Sequence, residues 1–312
     1  MLLVGPFSGF QSVLGLWITG QTTDNSGRSM NSTLSIEGVS FDLGAHCSAI
    51  QNEGFTVFAD VLAESKINAY RTALRPWLET ELYGRNVFEG TKSQRVYAML
   101  AKDPIFAELV AHPLALSIAE YFLGQSCLLS ACLAINLLPG ESAQPWHTDD
   151  GHTSLNSPHD VVGISAFWAL SDTTVENGAT EVLPKSHLWA QHEFPGALSD
   201  IDFDNTGDSE TAEDHGFHPA SKKVTLSAGS LMVARGDLWH RGGANKSDAS
   251  RLVITPQYCA GWLRPLETML LTMTPAQVAA FPERVQALLG YSIHSPFMGY
   301  VDGMHPKRIL GA

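Results

Sequence analysis

Cys127-Leu-Leu-Ser-Ala-Cys-Leu-Ala-Ile-Asn-Leu-Leu138 is a continuous apolar run cut off by Pro139-Gly140. A run this short with so sharp an end suits a strand buried on both faces better than a helix. Downstream, Val161 to Leu170, Thr180 to Leu183, Val224 to Leu226, Leu231 to Ala234 and Leu252 to Cys259 are similarly short, and turns rich in Gly, Asn, Asp and Ser separate them. Strands of this spacing predict a mainly β chain folded as an antiparallel sandwich or jelly roll, with helices at its flanks.

The helices lie on either side of the strands. Asp42 caps a short helix through Asn52, and Gly54 to Phe58 reads as a strand. Ala63 to Glu81 carries an apolar stripe of Ile67, Tyr70, Leu74, Trp77, Leu78 and Leu82, with Pro76 placed to bend or divide it. A further helix runs from His112 to Phe122, where Pro113 suits the first turn and Gly124 the exit. Beyond the strands, Thr274-Pro275 starts a helix through Phe281, and Pro282 starts another that Gly290 ends. The expected organisation is an ill-ordered extension over residues 1–39 and one domain over 40–312. Within that domain a helical buttress spans 40–126, the β core 127–262 and the last helices 263–312. The acidic, aperiodic interval 190–223 reads as a lid or solvated loop.

With 312 residues, 44% of them hydrophobic, the chain is long enough for one large core. A formal charge of −13 disfavours phosphate backbones and anionic lipid surfaces, so no nucleic acid and no membrane is expected as a partner. Met1 to Ile18 is apolar but broken by Gly and Pro and has no basic start, which argues against a signal peptide or a span. Cys47, Cys127, Cys132 and Cys259 lack C-x-x-C spacing and read as reduced thiols of a cytoplasmic protein.

The chemistry is concentrated in Gln144-Pro-Trp-His-Thr-Asp-Asp-Gly-His152. On an extended segment, residues two apart point the same way, so His147 and Asp149 can meet one ion. A second histidine completes the 2-His-1-carboxylate face of non-haem Fe(II) oxygenases. His152 shares the same turn-rich loop, and His192, His215 and His218 lie in the acidic interval. His240 closes the Leu238-Trp-His segment, and Arg251 begins the next strand 11 residues later. Taken alone, His240 reads as a core histidine and Arg251 as a surface or interface arginine. Together with H-x-D they form an ordered set, because the planar guanidinium fork neutralises the distant carboxylate of an iron-chelating α-keto acid.

Several segments resemble the phytanoyl-CoA dioxygenase family of Fe(II)/2-oxoglutarate oxygenases. They are Gly90 to Tyr97, Gln144 to Asp150, Asn177-Gly-Ala-Thr-Glu-Val-Leu-Pro-Lys-Ser-His187, the pair His240 and Arg251, and Gly290 to Gly299. The resemblance spans about Ser40 to Leu310 and implies a double-stranded β-helix, the cupin-like jelly roll. It implies His147, Asp149 and His240 as catalytic iron ligands and Arg251 as partner of the 2-oxoglutarate C5 carboxylate. Gln144, Thr180 and Arg95 are implied as further co-substrate contacts. Lys185 stands where relatives often carry Gly, which bears on the turn after that strand. The implied reaction consumes 2-oxoglutarate and O2, releases succinate and CO2, and hydroxylates or otherwise oxidises a C–H bond. Asp149 argues against halogenation, which needs a small uncharged residue there. The expected substrate is a small, largely apolar metabolite facing Trp146, Asp150 and the loop before Lys223, and any self-association is expected to be a homodimer. A cupin-like metalloenzyme without 2-oxoglutarate and a non-catalytic jelly-roll binding protein are the alternatives.

Overall fold

A computed structural model of the chain describes residues 17–19, 22–23, 29–30, 33–36, 38–80, 82–190 and 217–311. Two compact units divide it, Met1–Ser48 and Ala49–Ala312. In the first, β1 (Trp17–Thr19), β4 (Thr33–Ile36) and β5 (Val39–Asp42) form an antiparallel sheet in the order β1-β4-β5, and β2 (Thr22–Thr23) pairs with β3 (Ser29–Met30). The rest of the expected N-terminal extension lies outside the described residues. Helix α1 (Leu43–Glu53) starts where Asp42 Oδ1 accepts from the Ala45 N–H at 3.0 Å, the cap the sequence predicts.

The second unit runs β6 (Phe55–Phe58), α2 (Glu64–Leu78), β7 (Ser93–Val96), α3 (Met99–Lys102), α4 (Ala107–Val110), α5 (Pro113–Leu123), β8 (Leu128–Leu137), β9 (Gly163–Ala169) and β10 (Thr180–Val182). It continues through β11 (Lys222–Val224), β12 (Leu231–Arg235), β13 (His240–Gly242), β14 (Arg251–Cys259), α6 (Pro275–Ala279) and α7 (Glu283–Leu288). Strands β6-β12-β9-β14-β8-β7 form one antiparallel sheet and β11-β10-β13 a smaller one, the two layers of a jelly roll. Phe55, Phe167, Val182, Val224, Met232 and Leu238 fill the space between them.

The unbroken apolar character of β8 has a direct cause. One face carries Ala131, Leu133, Ile135 and Leu137 and lines a cavity between the layers. The opposite face of the sheet is covered by helices: Tyr258 donates its hydroxyl to the Val110 carbonyl at 2.7 Å, and the Trp168 ring meets His112 edge-on at 4.7 Å. Residues of both parities are therefore buried, and no polar alternation is left. Pro256 sits inside the central strand β14, and the β14–β9 ladder omits Thr255 and Pro256, where no proline N–H is on offer.

Three expectations differ from the structure in detail. Helix α2 passes through Pro76 only to end at Leu78, so Ile67, Tyr70 and Leu74 are buried while Leu82, beyond the helix, is exposed. The residues read as a helical buttress supply both edge strands of the large sheet: β6, predicted, and β7, not predicted. Of the interval read as a lid, residues 191–216 lie outside the described residues, with His192 and His215, and its end enters β11. Lys185 adopts φ +67°, the left-handed conformation that a glycine takes without strain, and its Nζ lies 3.3 Å from Glu53 Oε1. All four cysteines are free and buried. Among the described residues, no single helix is long and apolar enough to cross a membrane.

Candidate active site

Strand register builds the floor of the cavity, whose volume is about 960 Å³. Across β14 and β8, Arg251 lies opposite Leu137, Val253 opposite Ile135, Thr255 opposite Leu133 and Gln257 opposite Ala131, and all eight face inward. Ser93 of β7 extends the first of these rows and Arg95 the second. The floor is thus cationic at the Arg251 end, apolar in the middle and polar again at Gln257.

His147 and His240 come together because their segments form an antiparallel bridge in which each N–H donates to the other's carbonyl, at 3.0 and 2.9 Å. Their rings are 4.4 Å apart. His147 Nδ1 lies 2.9 Å from the Pro145 carbonyl oxygen and His240 Nδ1 lies 3.0 Å from that of Leu238. A carbonyl only accepts, so both Nδ1 atoms carry a proton, and in a neutral ring of this tautomer Nε2 is the atom that offers a lone pair. Asp149 Oδ1 is 3.7 Å from His240 Nε2, and Ser165 Oγ donates a short hydrogen bond to the other oxygen, Oδ2. The candidate donor atoms of the three residues lie within 4.8 Å of one another. Burial, reinforced by the neighbouring His240, pushes His147 down to about 3, so it stays neutral and able to donate its lone pair.

Gln144 is fixed at both ends of its amide. Its Nε2 donates to the Phe88 carbonyl at 2.7 Å and its Oε1 accepts from the Gly242 N–H at 2.9 Å. Arg95 donates through Nε to the Glu89 carbonyl at 2.8 Å. Arg251 is 4% exposed, its Nε has no hydrogen-bond partner, and no carboxylate pairs with it among the described residues. Burial, and then the neighbouring Arg95 charge, lowers its pKa to about 10.

The structure therefore brings His147, Asp149, His240, Gln144, Thr180, Arg95 and Arg251 to one cavity. His152 is exposed at its rim. Trp146 is a correction. Expected to face the cavity, it does not line it and packs with Leu183 and Trp239 instead. Asp150 does line the cavity. Its Oδ2 has no hydrogen-bond partner and lies 3.9 Å from His159 Nε2, and burial with the Asp237 charge pushes its carboxyl up to about 7. Residues not anticipated are Ser165, Gly242 and Phe88, whose ring edge meets His147 at 4.9 Å. Only Phe88 had a signal, its place just before the Gly90 to Tyr97 segment.

Comparison with known proteins gives a family and a fold. The family model for phytanoyl-CoA dioxygenase matches residues 50–253. Dioxygenase cnsJ of Penicillium expansum is 25% identical over 299 residues, covering 86% of this chain and 83% of that protein. The fold is like that of the non-haem alpha-ketoglutarate-dependent carbocyclase SnoK from nogalamycin biosynthesis, with a TM-score of 0.54 and 23% identity over 69% of this chain and 83% of that one. The epimerase SnoN, solved with Fe3+, alpha ketoglutarate and nogalamycin RO, has a TM-score of 0.53 and 21% identity over 70% of this chain and 83% of its own.

Proposed function

Because the chain belongs to the phytanoyl-CoA dioxygenase family, we propose that it binds Fe(II) through His147, Asp149 and His240 and 2-oxoglutarate through Arg251, and oxidises a small, largely apolar metabolite. For hydroxylation the balance is R–H, 2-oxoglutarate and O2 giving R–OH, succinate and CO2. When bound, Fe(II) reduces O2 with 2-oxoglutarate as the electron donor and so supplies the oxidant for the C–H bond. The donor set suits that metal: two neutral imidazoles and one carboxylate, with positions left over for a chelating co-substrate and a third ligand.

The observation that carries this reading is Arg251. A guanidinium 4% exposed, with an unpartnered Nε and no carboxylate among the described residues paired with it, is costly unless a ligand brings the anion. It opens onto the same cavity as the three metal-binding candidates. Gln144 and Thr180 offer polar groups to that co-substrate from the opposite layer, and Arg95 adds positive charge to its end of the floor. Anaerobic titration of the protein with Fe(II) and 2-oxoglutarate tests the reading. A visible charge-transfer band from the chelate is expected, and folded protein that gives no band overturns it.

The remainder of the cavity supports the substrate class. Leu133, Phe167, Val253, Leu155, Leu266 and Trp239 line it, and lysine is absent from its lining. Arg85, at the rim, already pairs with Glu89 at 2.5 Å. A phosphate-rich thioester would find carboxylates, Asp150 and Glu267, where it needs cations. The volume is in the range that encloses a drug-sized ligand beside a five-carbon diacid.

Gly242 tests the co-substrate end separately from the metal. A Cβ there would stand 2.8 Å from Gln144 Oε1 and 3.5 Å from Arg251 Nη2. Gly242→Ala is expected to displace the Gln144 amide and weaken 2-oxoglutarate binding about tenfold, the scale of one hydrogen bond to a charged group. Calorimetry should show Mn(II) affinity unchanged in the same variant. Equal losses of both ligands would place Gln144 at the metal instead.

A further inference from the structure

The cavity-facing side chains of the smaller layer have counterparts on its opposite face. His147 lies beside His240, His240 opposite Val182, and Thr180 opposite Gly242. Between these inward rows runs an outward one. Trp146 neighbours Arg241, Arg241 lies opposite Glu181, and Glu181 lies opposite Lys223. None of these four lines the cavity.

The outward row is buried and bonded throughout its centre. Trp146, Arg241 and Glu181 are 1%, 2% and 5% exposed. Arg241 Nε donates to Glu181 Oε2 at 3.0 Å, and Nη2 reaches the same oxygen at 3.0 Å. The guanidinium carbon lies 4.7 Å from the centre of the Trp146 ring, within cation–π range. Lys223 Nζ, half-exposed, stands 3.5 Å from Glu181 Oε1 and adds a weaker contact. Trp146 is joined directly to His147, and Arg241 directly to His240.

We infer that Trp146, Arg241 and Glu181 form a clamp of positioning residues that sets the distance between the two histidine-bearing segments. This rests on the reading of His147 and His240 as metal ligands. The two segments share the His147–His240 bridge, flanked by the Gln144 N–H bond to the Gly242 carbonyl at 2.9 Å and the Asp150 N–H bond to the Gly236 carbonyl at 3.2 Å, and only the His240 segment belongs to a strand, the three-residue β13. These backbone bonds set the register of the two segments, and the buried ion pair stacked on an indole adds a side-chain constraint on how closely they approach. Ligand spacing must hold to a fraction of an ångström for tight metal binding, so the clamp acts on affinity through the histidines without touching the metal.

The test is the dissociation constant for Mn(II), read from the EPR signal of the free ion. The double variant Arg241→Gln/Glu181→Gln keeps a hydrogen-bonding pair of similar shape and leaves neither charge buried alone. It is expected to fold with unchanged circular dichroism and to bind Mn(II) about tenfold more weakly. Arg284→Gln/Glu120→Gln removes another ion pair, 2.7 Å long and between α7 and α5, and is expected to leave the constant unchanged. Wild type that binds no Mn(II) overturns the ligand assignment itself. Wild type that binds, with the clamp variant binding equally well, overturns only the clamp, as does an equal loss in the Arg284 and Glu120 control. If the double variant does not fold, Trp146→Phe is measured the same way, and an unchanged constant there overturns the proposal.

Discussion

His147→Ala is expected to abolish succinate formation, by more than about a hundredfold, while the protein remains folded. The ring is held by its Nδ1 bond to the Pro145 carbonyl and by Phe88 and His240, at 4.9 and 4.4 Å. Its removal deletes one of the three proposed donor atoms and opens a small void beside Phe88 and His240, while the bridge to His240 is made by the backbone and stays. The loss therefore falls on metal binding rather than on folding. Thermal unfolding with and without Mn(II) separates the two. Wild type at one hundred times its dissociation constant gains about 2.7 kcal/mol from the ion, and the variant is expected to gain none. A variant that still shows the metal-dependent shift, or still releases succinate, removes His147 from the ligand set.

How much of this was legible in the residues depends on which physical signal each one carried. Strand β8 announced itself because burial on both faces leaves a nearly unbroken apolar run, and Pro139-Gly140 marks where it ends. Strand β7 was missed since Ser93-Gln-Arg-Val96 is polar at three of four positions, and it is buried only because Ser93 and Arg95 face the cavity and Gln94 bonds to the Leu78 carbonyl and Asn136. His147 and Asp149 were readable from their two-residue spacing. His240 and Arg251 needed their order in the chain and a known family pattern, for no local rule distinguishes them from other histidines and arginines. Trp146 was misplaced by treating nearness in sequence to the metal site as nearness in space, when its ring goes to Leu183, Trp239 and Arg241. Ser165 had no signal, its role being set by the pairing of β9 with β14, which brings it beside Gln257 and within reach of Asp149.

Arg251→Met is expected to change function and stability in opposite directions. With the guanidinium gone, the C5 carboxylate of 2-oxoglutarate would be buried beside Leu137 and Val253 with only Arg95 near, a loss of about 2–5 kcal/mol, or at least roughly thirtyfold in KM for 2-oxoglutarate. Mn(II) affinity should survive, since Arg251 touches none of His147, Asp149 or His240. Stability moves the other way. Burial holds the Arg251 pKa at about 10, below its ordinary value of 12.5, so the folded state pays for this charge at every pH below about 10. Methionine of similar length removes that cost without a cavity, and the ligand-free protein is expected to be more stable by on the order of 1 kcal/mol or more, read as a higher denaturant midpoint. Added 2-oxoglutarate with Mn(II) should narrow or reverse the difference, because only wild type gains from the diacid. A variant that is less stable without ligand, yet binds 2-oxoglutarate as wild type does, would make Arg251 a structural residue whose charge is satisfied by the protein alone.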